Sequence, residues 1–190
     1  MRESKITRKT KETDVTVRIN LDGTGVYDIK TGIGFFDHML TALSKHSGID
    51  LVVLTAGDLE VDAHHTVEDT GIVIGQALSE ALGTAAITRY GSAFIPMDEA
   101  LGFCSLDICN RPYLVFDAEF TSEKCGDFDT SLTEEFFRAV SVHGGITLHM
   151  KKMYGKNDHH AIEAMFKAFA YALKTAVKPS VSLLSTKGTL

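Results

Sequence analysis

Apolar residues at every second position mark the first clear element of this chain. Val15, Val17, Ile19 and Leu21 alternate with polar neighbours between Asp14 and Leu21, the period of a strand buried on one face. Asp22-Gly23-Thr24-Gly25 reads as a turn, and Val26 to Ile29 as the returning arm of a hairpin. The period then lengthens. Gly34 to Ser47 predicts a helix, Ile49 to Ala56 a strand, and His65 to Leu82 a second helix with Ile74, Ala77, Leu78, Ala81 and Leu82 along one face. The same order follows again. Ala100 to Ile108 and Pro112 to Phe120 read as paired strands joined around Asn110-Arg111. Leu132 to His143 reads as a helix, Ile146 to Lys152 as a strand and His160 to Val177 as a last helix. Lys178 to Leu190 is polar and predicted to be irregular.

The recurrence extends to the residues themselves. His64-His65-Thr66-Val67-Glu68 returns as His159-His160-Ala161-Ile162-Glu163, 95 positions later, each copy opening a helix-like stretch. At an offset of 97, His46-Ser47-Gly48-Ile49 lies over His143-Gly144-Gly145-Ile146, and His38 falls on Glu135. The predicted fold class is therefore α+β: a duplicated unit, each half a mostly antiparallel sheet covered on one face by two helices. The helix layers of the halves are expected to pack together, giving one compact domain over 1–190 made of repeats at about 1–90 and 91–190.

Each HHxxE motif has a chemical consequence. A helix turns about 100° per residue, so Glu68 lies over His64 and His65 while the two adjacent imidazoles point in different directions. One motif can thus serve two metal centres, and two copies can build both. Imidazole with carboxylate suits zinc, manganese or iron. A single histidine pair near a helix start is usually surface or cap chemistry, but its repetition favours metal binding. Adding His38 and Glu135 gives His38, His64, His65, Glu68, Glu135, His159, His160 and Glu163, enough donors for two sites with open positions for substrate. On spacing alone His38 and Glu135 read equally well as exposed helix-face residues. Arg89 and Arg111 stand at turns where their forks could grip a phosphate, although ordinary surface arginine is favoured on spacing. Ser185-Thr186-Lys187-Gly188 is suited to holding an anion, as a free terminus also would be. Glu12 is a candidate general base among 25 acidic residues.

Composition narrows the classes. With 190 residues and 44% hydrophobic content the chain can bury a full core, and no linker or low-complexity tract divides it. No run of about 18 apolar residues is present to cross a membrane. The N-terminus lacks a signal peptide's apolar stretch, and Cys104, Cys109 and Cys125 show no CxxC spacing, so a reducing, cytoplasmic location is expected. Net charge is −6 without a basic block, which disfavours nucleic acid. An anionic small substrate would need a local basic cluster. A dinuclear hydrolase or a metal-storage oligomer could use the same donors, and turnover would separate them.

Thr31-Gly32-Ile33-Gly34-Phe35-Phe36-Asp37-His38, Asp62-Ala63-His64-His65-Thr66-Val67-Glu68-Asp69, Gly155-Lys156-Asn157-Asp158-His159-His160 and Ser185-Thr186-Lys187-Gly188 resemble segments of the imidazoleglycerol-phosphate dehydratases. The similarity runs from about Arg8 to Gly188. It implies a ribosomal protein S5 domain 2-like duplicated unit and the dehydration of imidazole glycerol phosphate to imidazole acetol phosphate in histidine biosynthesis. The implied route passes through a metal-held imidazolate and a diazafulvene-like intermediate. Two divalent ions, Mn2+ above all, would be held by the eight donors above, with Glu135 standing where many members carry histidine. Glu12 matches the acid/base residue, and Glu163 is expected to share in catalysis. Substrate contacts are expected from Glu12, His38, His46, His64, His65, Glu68, Arg89, Arg111, Ser185, Thr186 and Lys187. Thr186 stands where serine is more usual. The resemblance also implies a cubic homo-oligomer of twenty-four subunits, its sites at subunit interfaces; no nucleic-acid or membrane partner is expected on the charge and hydropathy given above.

Overall fold

The structure, a computed structural model, describes residues 2–182. The first unit runs β1 (Glu3–Lys9), β2 (Thr13–Asn20), β3 (Tyr27–Lys30), α1 (Gly34–Ser47), β4 (Asp50–Gly57) and α2 (His64–Leu82). The second runs β5 (Tyr90–Met97), β6 (Ala100–Ile108), β7 (Tyr113–Asp117), a short pair β8 (Lys124–Cys125) and β9 (Phe128–Asp129), α3 (Leu132–Gly144), β10 (Ile146–Tyr154) and α4 (Asp158–Ala176). Their four-stranded sheets have matching orders, β1-β2-β4-β3 and β5-β6-β10-β7.

Two strand pairings differ from the expected ones. β3 does not return on β2; it lies parallel to β4, with Ile29 opposite Val53. β7 does not pair with β6 and lies parallel to β10. The cause is β1 and β5, which alternation alone did not reveal. β1 takes one edge of β2, β4 takes the other, and β3 is left only the far edge of β4. β1 reads Glu-Ser-Lys-Ile-Thr-Arg-Lys, the polar make-up of an edge strand that must resist pairing with other chains, and this hides it from hydrophobic periodicity.

The repeat persists down to single hydrogen bonds. α1 and α3 both end on a glycine in the left-handed region, Gly48 (φ 77°) and Gly145 (φ 64°), where a Cβ would be strained. Their N–H groups donate to Ser44 O and Ser141 O. The buried hydroxyls of those serines donate in turn to Ile49 O (2.8 Å) and Ile146 O (2.7 Å), tying each helix end to the strand that follows.

The helices form the shared middle. α2 packs on α3 and α1 on α4, so the two most extensive helix contacts join one unit to the other. Phe36 of α1 meets Phe136 of α3 edge-on at 5.3 Å, and Phe136 stacks on Phe166 of α4 at 5.2 Å. All three rings are fully buried, each stabilising the fold by roughly 1.5–3 kcal/mol relative to exposure. One hydrophobic cluster runs through both units. It leaves the helix starts at the rim, where the histidines stand.

Candidate metal centre

Side-chain oxygens fix the starts of α2 and α4. Asn157 Oδ1 accepts from the N–H groups of His159 (3.0 Å) and His160 (3.4 Å), and Asp62 Oδ1 accepts from the His64 N–H (2.7 Å). Both histidine pairs therefore stand on a first turn, with ring planes at 88° for His64 and His65 and 82° for His159 and His160. Adjacent imidazoles do point apart.

Three expected donors converge. His38 of α1 and His159 of α4 bring their Nε2 atoms to 3.4 and 3.3 Å from Glu163 Oε2. These gaps exceed the usual 2.7–3.2 Å of an N–H···O bond, so the three atoms face a common point more than they bond to one another. All three donor atoms lie within 4.8 Å of one another. Phe35 braces the His159 ring edge-on at 5.0 Å. Glu163 is 5% exposed, and its Oε1 accepts from Lys167 Nζ at 2.6 Å. Burial alone would raise its pKa, but the Lys167 ammonium, with help from His38, outweighs burial and holds the carboxyl below its ordinary value. Two imidazoles and an ionised carboxylate are a donor set that fits a divalent transition ion.

The second motif is less complete. His64 Nε2 stands 3.7 Å from Glu68 Oε2, and His64 lines a hollow of about 630 Å³ between the loop before α2 and the 124–132 segment. Glu135 does not join them; its Oε2 turns to Arg138 Nε at 3.7 Å. Among the described residues the only cluster of three such donors is His38, His159 and Glu163.

The second histidine of each pair faces elsewhere. His65 Nδ1 lies 3.0 Å from Asp58 Oδ2, and its Nε2 lies 3.9 Å from Glu12 Oε2. His160 Nδ1 lies 2.8 Å from Glu99 Oε2, and its Nε2 lies 3.7 Å from Asp98 Oδ2. Asp58 and Glu99 raise the pKa of these two rings through those hydrogen bonds. The His160 contact and the Asn157 N–H lower the Glu99 carboxyl to about 2. No spacing or motif in the sequence singles out Asp58, Asp98, Glu99 or Lys167 for these contacts. The usable signal is topological: Glu12 ends the β1–β2 turn as Glu99 ends the β5–β6 turn, a correspondence hidden until β1 and β5 are placed.

The expected phosphate grip lies far off. Arg89 is buried, and its fork meets Asp107 through Nε–Oδ1 (2.6 Å) and Nη2–Oδ2 (2.9 Å), a pairing that raises its pKa further. Exposed Arg111 reaches the same carboxylate at 3.8 Å. The Arg89 N–H donates to Ala176 O, at the opposite end of α4 from His159. Those 17 residues of helix span about 26 Å. His46 stands two turns along α1 from His38, with its ring 5.7 Å from Tyr171; burial, with Lys167, lowers its pKa. Ser185, Thr186 and Lys187 lie outside the described residues.

A duplicated α+β chain that sets histidines and carboxylates on the first turns of paired helices defines a class: enzymes whose polar centre rides on a doubled sheet-and-helix unit. The family is then specific. The sequence profile of the imidazoleglycerol-phosphate dehydratases matches residues 31–173, and the chain belongs to that family of hydro-lyases of histidine biosynthesis. An imidazoleglycerol-phosphate dehydratase of Acetivibrio thermocellus is 58% identical over all of this chain and 99% of its own. One of Clostridium acetobutylicum is 59% identical over 97% of this chain and 96% of its own. Among solved structures, the Staphylococcus aureus enzyme superimposes with a TM-score of 0.85 at 43% identity, covering 94% of this chain and 99% of that one. The Pyrococcus furiosus enzyme gives 0.87 at 40% identity, covering 97% and 100%.

Proposed function

We propose that this chain dehydrates imidazole glycerol phosphate to imidazole acetol phosphate at a centre holding two divalent ions, Mn2+ first among them. The observation that carries the metal reading is the convergence of His38, His159 and Glu163 on one point. Bound there, the ions would supply Lewis-acid stabilisation to an imidazole ring that takes on negative charge and expels the hydroxyl of its neighbouring carbon as water, the carbon-bound proton then leaving the next carbon along the side chain. His64, Glu68, His65 and His160 complete the donor set, and Glu135 joins it once turned from Arg138. Glu12, exposed and facing His65, moves protons to and from the side chain of the substrate. Arg89 and Arg111, with Lys187, hold the phosphate, and Asp107 keeps the Arg89 fork in place.

Two features support sites shared between copies of the chain. His65 and His160 point away from the three-donor cluster, so one chain does not gather its own donors. Arg89 sits near the far end of α4 from His159, about 26 Å of helix away, and a glycerol phosphate chain is too short to bridge that. A homo-oligomer, a twenty-four-subunit cubic shell in the family's manner, brings one copy's arginines to another's histidines. No helix is long and apolar enough to cross a membrane, and free thiols at Cys104, Cys109 and Cys125 support a cytoplasmic setting.

The test is to strip the protein with chelator, confirm metal loss, and assay imidazole glycerol phosphate before and after adding Mn2+. Turnover should vanish and return. Undiminished turnover by the stripped protein would sink the metal reading and leave the family assignment standing.

A further inference from the structure

The duplication poses the same problem twice. In each HHxxE the second histidine must offer one nitrogen outward while its ring is held still. A neutral imidazole has one N–H and one lone pair, and a hydrogen bond to the first decides where the second lies. An ionised carboxylate only accepts, so a carboxylate beside Nδ1 puts the proton there and frees Nε2.

The two halves meet this need with different residues. His160 Nδ1 donates to Glu99 Oε2 at 2.8 Å. Glu99 Oε1 accepts from the N–H groups of Lys156 (3.1 Å) and Asn157 (2.8 Å), locking the turn residue to the loop that starts α4. His65 Nδ1 lies against Asp58, at 3.0 and 3.2 Å from its two oxygens, and Asp58 comes from the loop before α2. Glu12, the turn residue that corresponds to Glu99, stands instead on the Nε2 side of His65 at 3.9 Å. Taking the orienting task, Asp58 leaves Glu12 unencumbered; in the other half Glu99 does that task itself.

We propose that Glu99 and Asp58 are positioning residues that fix His160 and His65 as Nδ1–H tautomers with Nε2 presented to a divalent ion. This rests on the reading of those histidines as metal ligands. Carboxylate partners of ligating histidines commonly matter by 10–100-fold in metal affinity.

Glu99→Gln is the informative variant. Its amide oxygen can still accept from Lys156 and Asn157, but its NH2 then faces Nδ1 and selects the wrong tautomer. Mn2+ affinity of the full-length protein is measured by chelator competition, with circular dichroism of the metal-free state as the check on folding. Glu99→Gln should bind Mn2+ about 10–100-fold more weakly while remaining folded. His160→Ala should lose at least as much, and the double variant should be no weaker than His160→Ala alone. Asp58→Ala and His65→Ala should behave alike. Parental affinity in Glu99→Gln, with loss in His160→Ala, overturns the positioning role and spares the ligand reading. Parental affinity in His160→Ala removes His160 as a ligand and the proposal with it. Losses that add in the double variant, with the metal-free fold disturbed, mark Glu99 as merely structural.

Discussion

Single side chains here divide between holding structure and being left available for chemistry. Glu12 belongs to the second group: it is exposed and 3.9 Å from His65 Nε2. Glu12→Gln is expected to keep the fold and the metal while cutting turnover by at least about two orders of magnitude, the scale of losing an acid/base group. Steady-state assays with metal analysis on the same sample check this, and near-parental turnover would remove Glu12 from the reaction. Asp50 belongs to the first group. It accepts from the N–H groups of Thr24 (2.8 Å) and Val26 (2.8 Å) and from Asn20 Nδ2 (3.3 Å), pinning the turn after β2. Burial pushes its carboxyl up, but the Val26 and Thr24 N–H groups win and hold it below 3.8. A depressed carboxyl stabilises the fold above its unfolded value and stops doing so as pH falls through its folded one. Asp50→Ala should cost about 2 kcal/mol near neutrality. That difference from the parent, read by urea unfolding of metal-free protein, should shrink as acid goes below 3.8. A pH-independent difference would contradict the ionised-carboxylate explanation.

Between elements, the closest fit is α4 against the second sheet. A Cβ built on Gly91 of β5 would lie 1.9 Å from Ala172 O, backbone that cannot turn aside. Gly91→Ala must push α4 outward, and overpacking of this kind costs about 1–3 kcal/mol. The shift also moves His159 and Glu163 relative to His38, so Mn2+ affinity should fall along with the melting temperature. Unchanged melting and unchanged Mn2+ affinity would show that α4 yields freely. The same contact explains why α4 is apolar on nearly every side: it lies between β5 and β6 on one face and α1 on the other.

For the molecule as a whole, the separation of donors from arginines makes a sharp expectation. A His159→Ala chain lacks part of the metal cluster but keeps Arg111, and an Arg111→Ala chain is the reverse. Each alone should be nearly inactive. Dissociated, mixed and reassembled with Mn2+, they should regain activity, because some sites then draw an intact cluster from one copy and an intact arginine from another. Recovery no greater than the sum of the separate variants would mean that each chain builds its own site.

Much of this was legible before any fold was in hand, because local chemistry repeats faithfully. The pattern over Gly34–Ser47 predicts α1 to the residue, since its apolar period and the glycine after it are properties of contiguous chain. The doubled HHxxE announced two carboxylate-backed histidine pairs for the same reason: spacing of three or four on a helix needs no tertiary partner. Strand partnership was another matter. β3 and β7 lie parallel to β4 and β10 because the edge strands β1 and β5 claimed the other positions, and hydrogen-bonding edges are allotted by the whole sheet. The converging donors required α1 to pack on α4. Asp58 and Glu99 became visible only when the loops before α2 and β6 were folded against the histidines. Sequence dictated which groups the chain carries and which helix faces they share; packing set which of them meet, because distance across a core is fixed by how helices and sheets share one apolar interior.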